Sequence, residues 1–349
     1  MFNYTNGGSA VIGQIIRLVV PTFLAWGISS GVTGQQIDSR RLSKITFIPP
    51  TNWDYNHVGN PSVLTANRII NGHFRKIPDS LTLPQLTVKV AKQLLGKPYA
   101  KGKLIGVDVN EKPILCLNQL DCYTLVDNAI ALAIGMMRWQ QQVDSCVKKG
   151  EVPPLNWVNG TGWEFISALE DIRYRGGSYT DFSSRLHYAR DLIADNEKRG
   201  TWVNITRLWP NDTLKPQPKY RVIGRQADKE SKANMLRIED SLRQLPFTYI
   251  PSRLAEVVLP DLMEGDIIGI VPANNAEVEI SHVGFAVRHK GDWYLLHASS
   301  QYQKVLIGPS TLLAYLNRKS VKGFCVIRLP DTVPTYTPDE LIYLNSTEK

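Results

Sequence analysis

The chain has 349 residues, 43% of them apolar and 21% charged, with a formal net charge of +8. That is ample material for a sizeable core. No run reaches the roughly 18–20 consecutive apolar residues of a membrane span, and Lys and Arg are scattered among Asp and Glu with no basic tract or zinc-finger spacing. The basic balance therefore describes an evenly solvated surface, not a nucleic-acid interface.

Residues 1–34 read as a targeting segment. They hold a single basic residue, Arg17, and no acidic one. An apolar run from Leu18 to Ile28 follows, then small residues ending at Gly34. This is the order of a secretory signal, with an uncleaved N-terminal anchor as the alternative. Residues 35–81, with Pro49, Pro50, Pro61 and Pro78 among many Asn and Asp, read as an irregular lead-in. The remaining stretch, 82–349, reads as one domain.

A helix is expected from Thr82, which makes a capping-box pattern with Gln85. Leu83, Leu86, Val90 and Leu94 give it one apolar face, and Gly96-Lys-Pro-Tyr99 ends it. A second helix spans about 121–141, capped by Asp121 and carrying Leu125, Val126, Ala129, Ile130, Ala133, Ile134 and Met137 at helical spacing. Residues 150–163 read as loop. Helices follow near 164–174, through about Asp195, and near Ser231–Leu242. From Met263 the pattern changes to short strands near 265–271, 281–287, 293–298, 304–307 and 323–328, with a turn at His289-Lys-Gly-Asp292. Helices first and an antiparallel meander later define an α+β fold.

Cys122 sits in the first turn of the second helix, where unpaired N–H groups and the helix dipole favour a thiolate. It is the candidate nucleophile. The plainer alternative is a small buried residue at a helix entry. The other cysteines, Cys116, Cys146 and Cys325, form no C-x-x-C pair with it or with each other, which leaves a zinc ribbon or thioredoxin-like site unsupported.

A thiol nucleophile needs a base, and the base needs a group to orient it. Among six histidines, His282 opens one strand and His297 closes the next, so their side chains can be neighbours across an antiparallel hairpin. A metal pair, with Glu279 or His187 as third ligand, and a purely structural pair are the competing readings. No two acidic residues are arranged for glycosidase chemistry.

Gly96-Lys-Pro-Tyr99, Asp121-Cys122, Ser281-His-Val-Gly284 and the downstream His297 together resemble the papain-like cell-wall cysteine hydrolases of the NlpC type. The block Tyr179…Ser184-Arg-Leu-His-Tyr188 resembles the N-acetylmuramoyl-L-alanine amidase-like branch of that group. The resemblance covers about residues 83–330. It implies a papain-like fold in which Cys122, at a helix start, faces His282 and His297 on an antiparallel sheet. It implies Cys122 as nucleophile, His282 as base and His297 as the orienting residue. Tyr99, Asp121, Tyr179, Arg185, His187 and Tyr188 would shape the substrate cleft. An arginine in that block suits the carboxylates of a stem peptide.

The implied activity is hydrolysis, through a thioester, of the amide between N-acetylmuramic acid and L-alanine in peptidoglycan or muropeptides. No metal or cofactor is implied, nor a nucleic-acid partner, nor stable membrane insertion once the N-terminal segment is removed. Export to the periplasm or envelope fits this group. Two departures from its pattern stand out: bulky Tyr123 after the nucleophile, where a smaller residue is expected, and Asp127 where Glu is expected. A γ-D-glutamyl–diamino acid endopeptidase and a non-catalytic peptidoglycan-binding protein are the alternatives.

Overall fold

The computed structural model describes residues 62, 65, 66, 68–70, 77–101, 116–150, 163–214, 229–274 and 278–333. Residues 1–34, expected to be a targeting segment, lie outside the described residues, as do most of the lead-in, His57, His73 and the C-terminal residues 334–349. Within the lead-in, residues 77–81 are irregular as expected, but an earlier stretch is not. Residues 62, 65, 66 and 68–70 are helical, and Ala66, Ile69 and Ile70 are buried in the main core. The prolines and polar residues around them hide a short apolar stripe.

Helix α1, Leu83–Gln93, starts where its capping box places it, with the Thr82 amide donating to Gln85 Oε1 at 3.2 Å. Gly96, at φ +82°, ends the helical run in a conformation that costs a glycine little. Helix α2, Cys122–Lys148, is two turns longer than expected. Its apolar half packs on the sheet and on α3, Trp163–Arg173. Its last turns are polar and rest on the good helix propensity of Arg, Gln and Lys until Gly150, at φ +69°. Leu125, Ile130 and Leu132 of α2 are fully buried, each stabilising the fold by about 1.5–3 kcal/mol. Helices α4, Ala189–Lys198, and α5, Lys229–Gln244, lie near their expected positions.

The strands are β1 Val203–Asn204, β2 Asp212–Leu214, β3 Phe247–Pro251, β4 Ile267–Pro272, β5 His282–His289, β6 Asp292–Ser299, β7 Lys304–Thr311 and β8 Val321–Arg328. They form an antiparallel sheet in the order β2-β3-β8-β4-β5-β6-β7, with β1 on β8. The first three have no counterpart in the sequence reading. Two are only two and three residues long, and Phe247–Pro251 ends in proline, which demotes a strand pattern. Two short helices, α6, Ala255–Val258, and α7, Leu312–Leu316, lie among the strands.

The sheet divides two apolar layers. Val283, Phe285 and Val287 of β5 pack with α1, α2 and α3 on one face. Ala286, with Trp293 and Leu295 of β6, packs with Leu312 and Leu316 of α7 on the other. Alternation along the strands puts His282, Gly284 and His297 on this second face. The β5–β6 turn is a two-residue loop, Lys290-Gly291, with φ of 52° and 84°. Positive φ at both positions is the type I′ geometry that fits a twisted hairpin.

Candidate active site

Asp121 caps α2 as its sequence demands. Its Oδ1 accepts from the Thr124 amide and from Thr124 Oγ1, each at 2.8 Å, and the Thr124 hydroxyl in turn accepts from the Asp121 amide at 2.7 Å. Residues just before the cap are tied to the edge of the sheet. The Leu120 amide donates to Pro98 O, the Ala100 amide to Leu120 O, and the Tyr99 amide to Gln303 O. The Gly96–Tyr99 motif is thus the bridge that fixes the start of α2 against β7. Tyr99 lies close enough to Cys122 and Asp121 for their negative charge, after burial, to raise its phenol pKa.

Cys122 is 8% exposed, and the Val283 amide is directed at its sulfur together with the amides of Tyr123 and Cys122 itself. Val283 follows His282 directly, so the fold brings the helix start to the beginning of β5. Burial pushes the Cys122 thiol up to about 12, and the Asp121 carboxylate adds to this. The three amides pull the other way without prevailing. The thiolate favoured by helix-end reasoning is therefore not the resting state. Desolvation and a neighbouring carboxylate outweigh the helix start.

His282 Nε2 and His297 Nδ1 are 2.6 Å apart, with the rings edge to face. Burial lowers the His282 pKa to about 4. Burial, then the positive charges of His282 and Arg318, lowers that of His297 to about 3. Both imidazoles are neutral near pH 7. Neither sequence-level metal partner joins them: the Glu279 carboxylate is 3.0 Å from Arg190 Nη2, and His187 Nε2 is 2.8 Å from Phe182 O.

The imidazole pair opens on a cavity of about 220 Å³. Ser281, Ser299, Ser300, Gln301, Tyr302 and Arg318 line it beside the two histidines. Tyr315 of α7 also lines it, its ring centre 6.4 Å from that of His282 and 6.0 Å from that of His297. Sequence reading missed Tyr315 and Arg318. Leu312 and Leu316 mark a buried face four residues apart, and Tyr315, three residues after Leu312, borders that face and packs partly against the same core. Nothing in so short a helix announces that its ring also meets the histidines.

The middle block does not line this cavity. Arg185 is buried with its guanidinium 5.9 Å from the centre of the Phe182 ring. Tyr188 donates to Glu239 Oε1 at 2.8 Å, and the Tyr179 amide donates to Glu170 Oε1 at 2.7 Å. These residues anchor the segment between α3 and α4. Arg190, just beyond them, reaches Glu279, Leu242 O and Leu245 O, and so ties α4 and α5 to the loop that leads into His282.

The two departures from the family pattern are both accommodated. Tyr123 turns away from the cavity and donates to Ile280 O at 3.2 Å, two residues before His282. Asp127 is buried and accepts from Arg173 Nε at 2.6 Å. Its carboxylate pKa is raised by burial, against the opposing charge of Arg173.

The fold and site define a mixed α+β protein with a buried thiol at a helix start, the Val283 amide directed at its sulfur, and a neutral histidine pair on the antiparallel sheet. The AmiA-like family model, described as N-acetylmuramoyl-L-alanine amidase-like, matches residues 89–324, and the chain belongs to that family. Among solved structures, an N-acetylmuramoyl-L-alanine amidase from Bacteroides uniformis aligns at 25% identity and TM-score 0.58, over 71% of this chain and 99% of that one. A Bacteroides fragilis protein provisionally assigned as a xylanase aligns at 28% identity and TM-score 0.55, over 68% and 99%. A Legionella pneumophila protein of the DUF1460 family shares the fold at 21% identity and TM-score 0.51, over 78% and 95%. No match was found among curated proteins.

Proposed function

We propose that this chain is a cysteine-dependent amidase of the papain-like, NlpC type. In this reading it hydrolyses the bond between N-acetylmuramic acid and L-alanine in peptidoglycan or its muropeptides. The observation that carries the proposal is the meeting of Cys122 with the start of β5, where the neutral His282 is held by His297.

The starting state is a thiol beside a neutral imidazole. His282 uses Nε2 on His297, which leaves Nδ1 as the nitrogen for the thiol. An unprotonated Nδ1 requires that Nε2 carry the proton and donate it to His297 Nδ1, so the proton of His297 is on its own Nε2. That Nε2 faces Gly308, where even a Cβ would make only an ordinary contact at 3.5 Å.

As the Cys122 sulfur attacks the amide carbonyl, its proton passes to His282. Amides at the start of α2, including that of Cys122, stabilise the oxyanion. The imidazolium then gives its proton to the departing amine of L-alanine as the C–N bond breaks, leaving a thioester. Water, deprotonated by His282, adds to the thioester carbonyl. Collapse releases the muramic acid carboxyl group, and Cys122 regains its proton.

Tyr99 and Asp121 flank the nucleophile. Tyr179, Arg185, His187 and Tyr188 shape the cleft indirectly, as supports for the segment leading to Arg190. Residues 1–34 would export the enzyme to its substrate. A glycosidase reading, suggested by the name of one structural relative, is disfavoured because none of the described residues lining the cavity is a carboxylate, and glycoside cleavage uses two.

Mass spectrometry of disaccharide-tetrapeptide after incubation with wild type and Cys122→Ala tests the proposal. Free disaccharide and intact tetrapeptide, absent with the variant, are expected. Disaccharide-dipeptide and a released dipeptide would move the function to the endopeptidase. No cleavage of wall or muropeptide would favour a binding protein.

A further inference from the structure

Arg318 is the only formally charged group among the described residues lining the histidine cavity at neutral pH, since both imidazoles are neutral there. Its guanidinium carbon lies 4.1 Å from the centre of the Tyr315 ring, a cation–π stack. Nη2 donates to Ser310 Oγ at 3.2 Å. Among the described residues no carboxylate pairs with it. A cation held flat on an aromatic ring, bonded on one edge and otherwise free, presents donors to an incoming anion in fixed geometry. Ser300 and Tyr302 share the cavity wall.

We infer that Arg318, stacked on Tyr315, is the specificity residue that binds a free carboxylate of the stem peptide. The inference rests on the amidase reading of the same cavity and moves anion recognition away from Arg185, which is 7% exposed and does not line the cavity. The spacing is compatible. An extended peptide advances about 3.5 Å per residue, so a carboxylate on the second residue beyond the scissile amide lies about 7 Å from the attacked carbon. One aromatic ring separates the guanidinium from the imidazoles, with centre-to-centre steps of 4.1 Å to Tyr315 and 6.0 Å from Tyr315 to His297.

The test is titration calorimetry on Cys122→Ala protein, which removes turnover. Two disaccharide-tripeptides are compared, one with the free α-carboxylate of D-glutamate and one with that group as a carboxamide. The free acid is expected to bind about 10- to 100-fold more tightly, the range for hydrogen bonds to a charged group. Arg318→Gln on the same background should bind both alike, and Arg318→Lys should recover part of the preference. Equal affinities in the parent, preference retained in Arg318→Gln, or no binding of either ligand at millimolar concentration would each overturn the inference. Cleavage by the Cys122 protein is scored separately. Carboxylate preference without muramoyl–alanine cleavage keeps the anion site and removes the amidase; cleavage without preference does the converse.

Discussion

His282 and His297 meet on a diagonal. Continuing the β5–β6 register from Phe285↔Leu296 puts Gly284, not His282, opposite His297. The two imidazoles nevertheless approach to 2.6 Å because Gly284 has no side chain between them. A Cβ there would lie 2.7 Å from Leu296 O and 2.9 Å from His297 Cβ.

Gly284→Ala is therefore expected to push β6 away and break the histidine contact. A destabilisation of about 1–3 kcal/mol is expected from overpacking, with at least a tenfold loss of muropeptide turnover. Urea unfolding and a turnover assay check both. Wild-type turnover in a folded Gly284→Ala protein would show that the close approach is unnecessary.

His282→Ala should reduce kcat/KM by more than about a thousandfold, and His297→Ala by about ten- to a hundredfold, because the base is lost in one case and only its orientation in the other. His297→Asn, whose amide oxygen can accept from His282 Nε2, should recover part of that loss. Steady-state kinetics on one muropeptide decide it, and a larger effect at His297 would reverse the roles.

Cys122 starts as a thiol with a pKa near 12. Its alkylation by iodoacetamide in the free protein is expected to be slow at pH 7 and to keep rising above pH 9. Asp121→Asn should accelerate it, since the carboxylate charge goes while the asparagine still caps α2. A rate plateau near pH 6–7 would instead indicate a preformed thiolate–imidazolium pair.

Tyr123→Phe removes the hydroxyl that bonds Ile280 O and leaves that carbonyl without this donor. A loss of about 1 kcal/mol of stability is expected, with a smaller effect on KM than on kcat because the loop carries the base. If the phenylalanine variant instead gains substrate affinity, the ring faces the cleft.

Acid stability follows from the buried imidazoles. His187 has its pKa lowered to about 3 by burial, then by the Arg185 charge, against an ordinary value of 6.5. As pH falls below 6.5 the unfolded chain takes up this proton and the folded chain does not. Stability present above pH 6.5 is thus lost towards pH 3, by up to about 1.4 kcal/mol per pH unit per group. His282 and His297 act in the same sense, whereas the raised carboxylates Glu170 and Glu279 oppose it. His187→Gln should flatten the dependence of Tm on pH between 6.5 and 4.5. An unchanged slope would mean that His187 is protonated in the fold.

Local signals carried much of this protein. Asp121 with Thr124, Thr82 with Gln85, and Lys290-Gly291 determine two helix starts and a hairpin from chemistry within a few residues, so the sequence alone located Cys122 at a helix entry and His282 beside His297. What only the tertiary structure decided depends on contacts between distant segments. Burial beside Val283 reverses the expected ionisation of Cys122. Tyr123 leaves the cleft because Ile280 O, 157 residues away, accepts its hydroxyl. Arg185 is enclosed on Phe182 while Arg318 reaches the cavity. Spacing along a chain encodes capping and turn geometry. Desolvation and the choice of hydrogen-bond partner are properties of the assembled core, and no local pattern specifies them.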